Sequence, residues 1–174
     1  AYIALESKGD INKFWELLDE ALELSRQVGE LRYNKLKGVK ANVAPILWQH
    51  GAIARLDSDE DILKAIDERG FTVTIGYSAL YEAVKYLTGY SHTTKQGFPL
   101  AESIMKHLKS TCDKFKENQP HLRFALYGTP QESSTEWFNN ALVKEFGIVK
   151  DISDKGFVTN SYHVDVREEI DAFN

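Results

Sequence analysis

Apolar residues recur along the chain at helical spacing over several long stretches. From Ile11 they fall three, four and seven positions apart, which predicts an amphipathic helix reaching about residue 37. Asp10 is placed to cap its start, and Gly38 to end it. The same spacing returns in three later segments: residues 78–88, a helix with Pro99 in its first turn, and a stretch that ends at Phe146.

The region between the first helix and residue 70 has weaker patterns. Residues 41–48 are predicted to be extended or irregular, because Pro45 disfavours the helical conformation at the residue before it. Asp57 or Ser58 then caps a short predicted helix that Gly70 ends. The acidic residues 57–61 fit the first turn of that helix better than a metal site.

Residues 71–75 alternate apolar with polar side chains and are mostly β-branched, which predicts a strand, and residues 122–127 are predicted to form a second one. A tight turn and a helical pattern follow each of them. This order of strand, turn and helix predicts an α/β fold with parallel strands and outer helices. The chain has no internal repeat or linker-like stretch, so we expect one α/β domain over residues 1–174.

Composition and charge narrow the class of protein. The 174 residues are 43% hydrophobic and carry a formal net charge of −5, which argues against nucleic-acid binding. No apolar run approaches the length of a membrane span, and the start does not resemble a signal peptide. The single cysteine, Cys112, lies on the apolar face of its helix and is interpreted as core packing. We expect a cytoplasmic protein, and the lack of an initiator Met suggests a piece of a longer one.

The turn 128–134 is the strongest candidate for chemistry. Thr129 as N-cap, Pro130 as the first helical residue and Glu132 three positions after the cap fit a capping box. A helix that begins directly after a parallel strand can bind an anion through its free N–H groups, and Ser133 and Ser134 add hydroxyl donors. The simpler interpretation, that the box only satisfies its own helix end, is favoured by these residues alone.

Two further places carry weaker signals. Gly76 lies at a similar strand-to-helix corner, where a packing role is the simpler interpretation. Asn160, Ser161 and His163 are polar residues within a run that otherwise looks like a strand, so they are paired or face a wet cavity. The charged run 165–169 is interpreted as a solvated segment. These residues do not form a complete catalytic constellation.

Four segments, in this order, resemble the anaerobic (class III) ribonucleoside-triphosphate reductases: residues 2–10, 74–82, 126–133 and 154–164. The resemblance covers nearly the whole chain. It implies part of a ten-stranded α/β barrel, of the glycyl-radical type, that makes deoxyribonucleotides for DNA replication from ribonucleoside triphosphates. A glycyl radical oxidises a finger-loop cysteine in that family, and formate is the usual reductant.

The resemblance also implies roles for particular residues. The turn resembles the loop that holds the substrate phosphates, which reverses the preference stated above; the implied binding residues are Thr129, Gln131, Glu132, Ser133 and Ser134. The backbone N–H groups of residues 131–134 are the expected donors. Residues implied to line the active site are Gly76, Asn160, Ser161 and His163.

Other parts of the parent enzyme are expected outside this chain. The radical cysteine is expected just before Ala1, and a zinc site and the radical glycine after Asn174. The chain itself is expected to hold no cofactor, metal or catalytic residue and to be inactive alone. The implied partners are the nucleotide substrate, a radical-SAM activase and a second reductase subunit, with no nucleic acid or membrane.

Two alternatives stay open. The chain could be a free-standing, non-catalytic module that binds a phosphate ligand, which the reading frame around it would decide. It could also belong to a glycyl-radical enzyme with another substrate, although the phosphate-type loop argues against this.

Overall fold

The computed structural model describes residues 1–170, so the last four residues of the predicted domain lie outside it. The fold is a mixed α/β arrangement with one two-stranded sheet in the described part. The helices are α1 (Tyr2–Glu6), α2 (Ile11–Asn34), α3 (Pro45–Trp48), α4 (Leu63–Arg69), α5 (Leu80–Thr88), α6 (Phe98–Asn118) and α7 (Thr135–Phe146). A single 3₁₀ turn covers Ala41–Val43, and the strands are β1 (Thr74–Tyr77) and β2 (Ala125–Gly128).

The start of α2 confirms the predicted cap. Asp10 Oδ1 accepts hydrogen bonds from the backbone N–H groups of Asn12 at 2.8 Å and Lys13 at 3.1 Å. These are two of the N–H groups that a helix start leaves without an internal partner. The helix ends at Asn34, earlier than expected, and turns lead to Gly38 at a φ of 81°.

The region 41–70 differs from its prediction at two points. Pro45 starts a helical turn, α3, although the residue before it stays outside the helical conformation as expected. The short helix α4 begins at Leu63, not near Asp57, because Asp61 Oδ1 accepts the Leu63 N–H at 2.9 Å. Its end at Gly70 is confirmed, with a φ of 86° that favours glycine.

The two strands pair side by side and in parallel. Val73 donates its N–H to the Leu122 carbonyl at 3.1 Å and accepts from the Ala125 N–H at 3.0 Å. In a parallel pair, one residue forms hydrogen bonds to two different residues of the neighbouring strand, as Val73 does here. Both strands begin about three residues later than predicted and extend into Gly76 and Gly128.

The described residues form two compact units. The first comprises residues 1–22, 75–111 and 126–170, and the second comprises 23–74 and 112–125. The core of the first unit contains Leu5, Ala79, Leu142, Ile152 and Val158. In the second unit, the rings of Phe115 and Phe124 lie 5.5 Å apart, and Cys112 is fully buried, as its interpretation as core packing requires. The single domain over residues 1–174 stays a prediction.

Within residues 1–170, no helix has both the length and the apolar character that a membrane crossing requires.

Candidate functional site

The turn after β2 is not a capping box. Helix α7 begins at Thr135, five residues beyond the predicted start, and Ser134 occupies the N-cap position without a side-chain cap hydrogen bond. The Gln131 N–H instead donates to Asn160 Oδ1 at 2.7 Å. The turn is then closed by the Ser134 N–H, which donates to the Gln131 carbonyl at 3.1 Å. An amide 29 residues further along the chain therefore replaces the local cap.

Gly76 lies directly against this turn. Because parallel strands end at the same edge of a sheet, the residues after β1 and β2 come together there. A Cβ atom at Gly76 would overlap the hydroxyl oxygen of Thr129. Glycine at this position is therefore a packing requirement, which is the simpler of the two interpretations of its sequence signal.

The segment 159–161 forms the third side of the site. Its backbone is bonded to the start of α5: the Ala79 N–H donates to the Thr159 carbonyl at 3.0 Å, and the Leu80 N–H donates to the Ser161 carbonyl at 3.2 Å. Ser161 is buried with a φ of 38°, and its Cβ lies 3.6 Å from the position a Cβ on Gly128 would take. The segment thus meets the end of β2.

His163 lies apart from this contact. The side chain is exposed, and its Nδ1 lies 2.9 Å from the Asn160 carbonyl oxygen. The ring stacks on Tyr162, with ring centroids 5.1 Å apart. The structure therefore brings together Gly76, Thr129, Gln131, Asn160 and Ser161, and leaves His163 at the surface.

The turn keeps some donors for an anion and uses others internally. Of the four N–H groups expected to face a phosphate, those of Gln131 and Ser134 donate within the protein. Those of Glu132 and Ser133 find no acceptor among residues 1–170, and both residues are exposed. The Ser133 hydroxyl and the positive end of the 12-residue helix α7 lie in the same stretch.

Gln131 adds a polar group inside the turn. Its side-chain oxygen is buried and has no hydrogen-bond partner in the described part of the chain. The carboxylate of Glu132 does not return to the Thr129 N–H there, as a capping box would require.

A buried ionic cluster behind segment 159–161 was missed in the sequence. Lys155 Nζ lies 2.6 Å from a Glu82 carboxylate oxygen and 2.8 Å from an Asp165 oxygen. The side chains of Glu82 and Asp165 are fully buried, and that of Lys155 is 3% exposed. Asp165 was expected in a solvated run, and this is wrong because Lys155 and Arg167 neutralise it inside the fold. The sequence signals only two members of this cluster, because Glu82 and Asp165 each stand between two apolar residues.

The cluster keeps Asp165 ionised despite its burial. Burial acts to raise the pKa of this carboxyl, but hydrogen bonds from Arg167 and Lys155 outweigh it and hold the pKa below its ordinary value. Lys155 also lies over the rings of Tyr81 and Phe157, at 4.9 and 5.1 Å from their centroids. An ammonium group over aromatic faces gains further stabilisation.

His92 supports the same segment from another side. Its Nε2 lies 2.9 Å from the Tyr162 carbonyl, and its Nδ1 is buried without a partner in residues 1–170. Burial lowers the pKa of the imidazole, and the hydrogen bond to Tyr162 offsets this only in part. The neutral tautomer with its proton on Nε2 fits these contacts.

The residues described here contain no cluster of three or more His, Cys, Asp or Glu side chains that could hold a metal ion.

The family model and the relatives that match this chain all carry the same family description. The family model described as anaerobic ribonucleoside-triphosphate reductase matches residues 1–174. An anaerobic ribonucleoside-triphosphate reductase of Escherichia coli K12 is 37% identical over 175 residues, covering 99% of this chain and 24% of the relative. Its counterpart in Enterobacteria phage T4 is 36% identical over 162 residues, covering 92% of the chain and 25% of the relative. The chain thus spans about a quarter of the length of these curated relatives.

Proposed function

The chain belongs to the anaerobic ribonucleoside-triphosphate reductase family, and we propose that it forms part of the catalytic barrel of such an enzyme. In this proposal β1 and β2 are two neighbouring strands of the ten-stranded barrel wall. The enzyme would reduce ribonucleoside triphosphates to deoxyribonucleotides by glycyl and thiyl radical chemistry. The family model over the whole chain and the relatives' names support this role.

Within that enzyme, the turn 129–134 would bind the substrate phosphates. The observation that carries this proposal is that the backbone N–H groups of two exposed residues, Glu132 and Ser133, have no acceptor in residues 1–170. They lie at the carboxyl end of β2, where ligands bind in open parallel sheets. The Ser133 hydroxyl and the start of α7 would add a donor and positive potential, and the Ser134 hydroxyl, which lies 3.5 Å from the Gln131 carbonyl oxygen, would have to turn from it to add another.

Asn160 would act by shaping this turn. Its side-chain oxygen holds the Gln131 N–H at 2.7 Å, while the next two N–H groups have no acceptor in residues 1–170. Thr129 and Gly76 would fix the base of the turn through their contact. Ser161 and His163 would line the neighbouring wall, with His163 nearest the solvent.

The radical and metal chemistry is assigned in this proposal to other parts of the enzyme. Cys112 is fully buried, which does not fit the thiyl site of the family. A glycyl radical supplies the oxidising equivalent in this chemistry, and formate supplies the reducing one. A radical-SAM activase and a second reductase subunit would be partners of the whole enzyme.

The test is a pair of substitutions at Asn160 in the full-length reductase. Asn160→Ala removes the acceptor for the Gln131 N–H, and we expect it to raise the KM for a ribonucleoside triphosphate about tenfold. Asn160→Asp keeps an acceptor but adds a negative charge beside the phosphates. We expect an increase in KM at least as large, because like charges repel.

Asn140→Ala serves as the matched control, because Asn140 is exposed on α7 and outside the turn. It is expected to leave KM unchanged. If Asn160 has only a structural role, Asn160→Asp will have a KM close to that of the unsubstituted enzyme. That result would refute the phosphate proposal.

A further inference from the structure

Glu82 is a fully buried carboxylate whose partners all belong to the segment behind the proposed phosphate turn or to its ionic support. One oxygen accepts the Thr159 N–H at 2.7 Å, and the other accepts the Thr159 hydroxyl at 2.6 Å. Lys155 Nζ lies 2.6 Å from the first oxygen. A buried carboxylate with three donors is well satisfied, and its hydrogen bonds to Thr159 are charge-assisted.

Thr159 is covalently next to the residue that shapes the turn. The Thr159 N–H and hydroxyl are held by Glu82, the Thr159 carbonyl is held by Ala79, and Asn160 then reaches Gln131. Every polar group of Thr159 is therefore fixed, and Asn160 starts from a backbone with little freedom. The chain of contacts runs from Glu82 through Thr159 and Asn160 to the turn.

We propose that Glu82 is a positioning residue for the phosphate-binding turn, which it aligns through Thr159 and Asn160. This inference rests on the proposed function of residues 129–134. Glu82 itself contacts no residue of the turn in the described part of the chain. Removing the groups that orient metal ligands commonly lowers metal affinity or activity about 10- to 100-fold, and we expect an effect at the lower end of that range here.

Lys155 explains why a charged residue can occupy this buried place. It contacts both Glu82 and Asp165, and Arg167 also binds Asp165, at 2.9 Å. Arg167 is half-exposed and also pairs with Asp154, at 3.3 Å, so it does not rely on the buried carboxylates alone. Replacing Glu82 by a neutral residue leaves Lys155 paired with Asp165, so the substitution does not strand a buried charge.

The test uses the full-length reductase with Glu82→Ala, Glu82→Gln and the control Glu168→Gln. Glu168 binds Tyr81 and Lys85. The control substitution therefore removes a carboxylate of the same unit and leaves the contacts of Thr159 in place. Two quantities are measured: KM and kcat for a ribonucleoside triphosphate, and amide hydrogen exchange in peptides covering residues 128–135 and 157–163.

Glu82→Ala is expected to raise KM about tenfold with kcat changed less than about threefold, because a phosphate contact binds ground and transition states alike. Exchange is expected to be faster in both peptides. Glu82→Gln is expected to recover most of both effects, since its amide oxygen still accepts the Thr159 N–H while its NH₂ donates to the hydroxyl. Glu168→Gln is expected to change neither quantity.

Unchanged exchange in peptide 128–135 with Glu82→Ala would overturn the positioning role, whatever KM does. Faster exchange with an unchanged KM would also overturn it, provided that Asn160→Ala raises KM. If Asn160→Ala leaves KM unchanged as well, the failure belongs to the proposed phosphate site. Should Glu82→Ala fail to fold, Thr159→Val carries the test, because it removes only the hydroxyl bond and is expected to act in the same direction with a smaller change.

Discussion

Gly76 shows how a single missing side chain shapes the site. It is the third residue of β1, and a Cβ there would overlap the hydroxyl of Thr129 at the base of the turn. The backbone of Gly76 is not in the left-handed region, so only the space beside it requires glycine. The sequence predicts that Gly76 lies at a turn between a strand and a helix. That Thr129 packs against it is known only from the pairing of the strands.

We predict that Gly76→Ala destabilises the strand ends by about 1–3 kcal/mol, the usual cost of overpacking. The measurement is the free energy of opening from native-state hydrogen exchange of the amides of β1 and β2 in the full-length protein. Thr129→Ala removes the obstructing hydroxyl, so the double variant is expected to lose less than the sum of the single variants. Strictly additive losses would show that the two residues do not collide.

His92 makes the stability of the fold depend on pH. Burial lowers the pKa of its imidazole below the ordinary value near 6.5, so the folded protein binds fewer protons there than the unfolded chain. Stability from this group is therefore complete above about pH 6.5 and decreases as the pH falls. We predict that His92→Gln, which can still donate to the Tyr162 carbonyl, makes the loss of melting temperature between about pH 7 and pH 5.5 smaller. Equal losses in both proteins would contradict a half-buried imidazole that is neutral in the folded state.

At the scale of elements, helix ends were predictable where the signal is local. Asp10 caps α2 through two N–H groups directly after it, and Gly70, Gly89 and Gly147 follow α4, α5 and α7 with positive φ values. These contacts involve residues close in sequence, so their identity alone determines them.

Two of the failures share a physical cause, which is a competing contact with a residue outside the local motif. The capping box at Thr129 is absent because Asn160 takes the Gln131 N–H from 29 residues away. The prediction that residues 165–169 are solvated is wrong at Asp165, because Asp165 forms a buried ion pair with Lys155. The site depends on such long-range contacts, so sequence patterns indicated the turn but not its partners.

We predict that the N-cap of α2 acts without the rest of the protein. A synthetic peptide of residues 7–37 with Asp10→Ala is expected to lose helicity, corresponding to about 0.5–2 kcal/mol of helix stability. Circular dichroism measures the change. Asp10→Asn keeps the accepting oxygen and is expected to stay close to the unsubstituted peptide. Equal helicity in all three peptides would mean that the two observed hydrogen bonds do not stabilise the helix start.

At the scale of the whole molecule, large apolar side chains remain at the surface. In the second unit, Leu24, Val28 and Leu31 of α2 are 62%, 48% and 56% exposed, at spacings of one helical face. Exposed apolar stripes of this kind favour association. The alternative of a free-standing module predicts a clean monomer, so the two accounts differ in a measurable property.

We predict that the isolated 174-residue chain self-associates, with an apparent mass in light scattering that rises with protein concentration. Leu24→Glu is expected to reduce this rise. Gln27→Glu is the control, because it adds the same charge to α2 and leaves the apolar stripe intact. A mass independent of concentration would favour the free-standing module instead.

The central claim is that residues 129–134 bind the phosphates of a ribonucleoside triphosphate. The most direct measurement is a crystal structure of the full-length reductase with that substrate bound. The account predicts phosphate oxygens about 3 Å from the backbone nitrogens of Glu132 or Ser133, with the Asn160 to Gln131 hydrogen bond retained. Phosphates bound elsewhere, with these two N–H groups facing solvent, would contradict it.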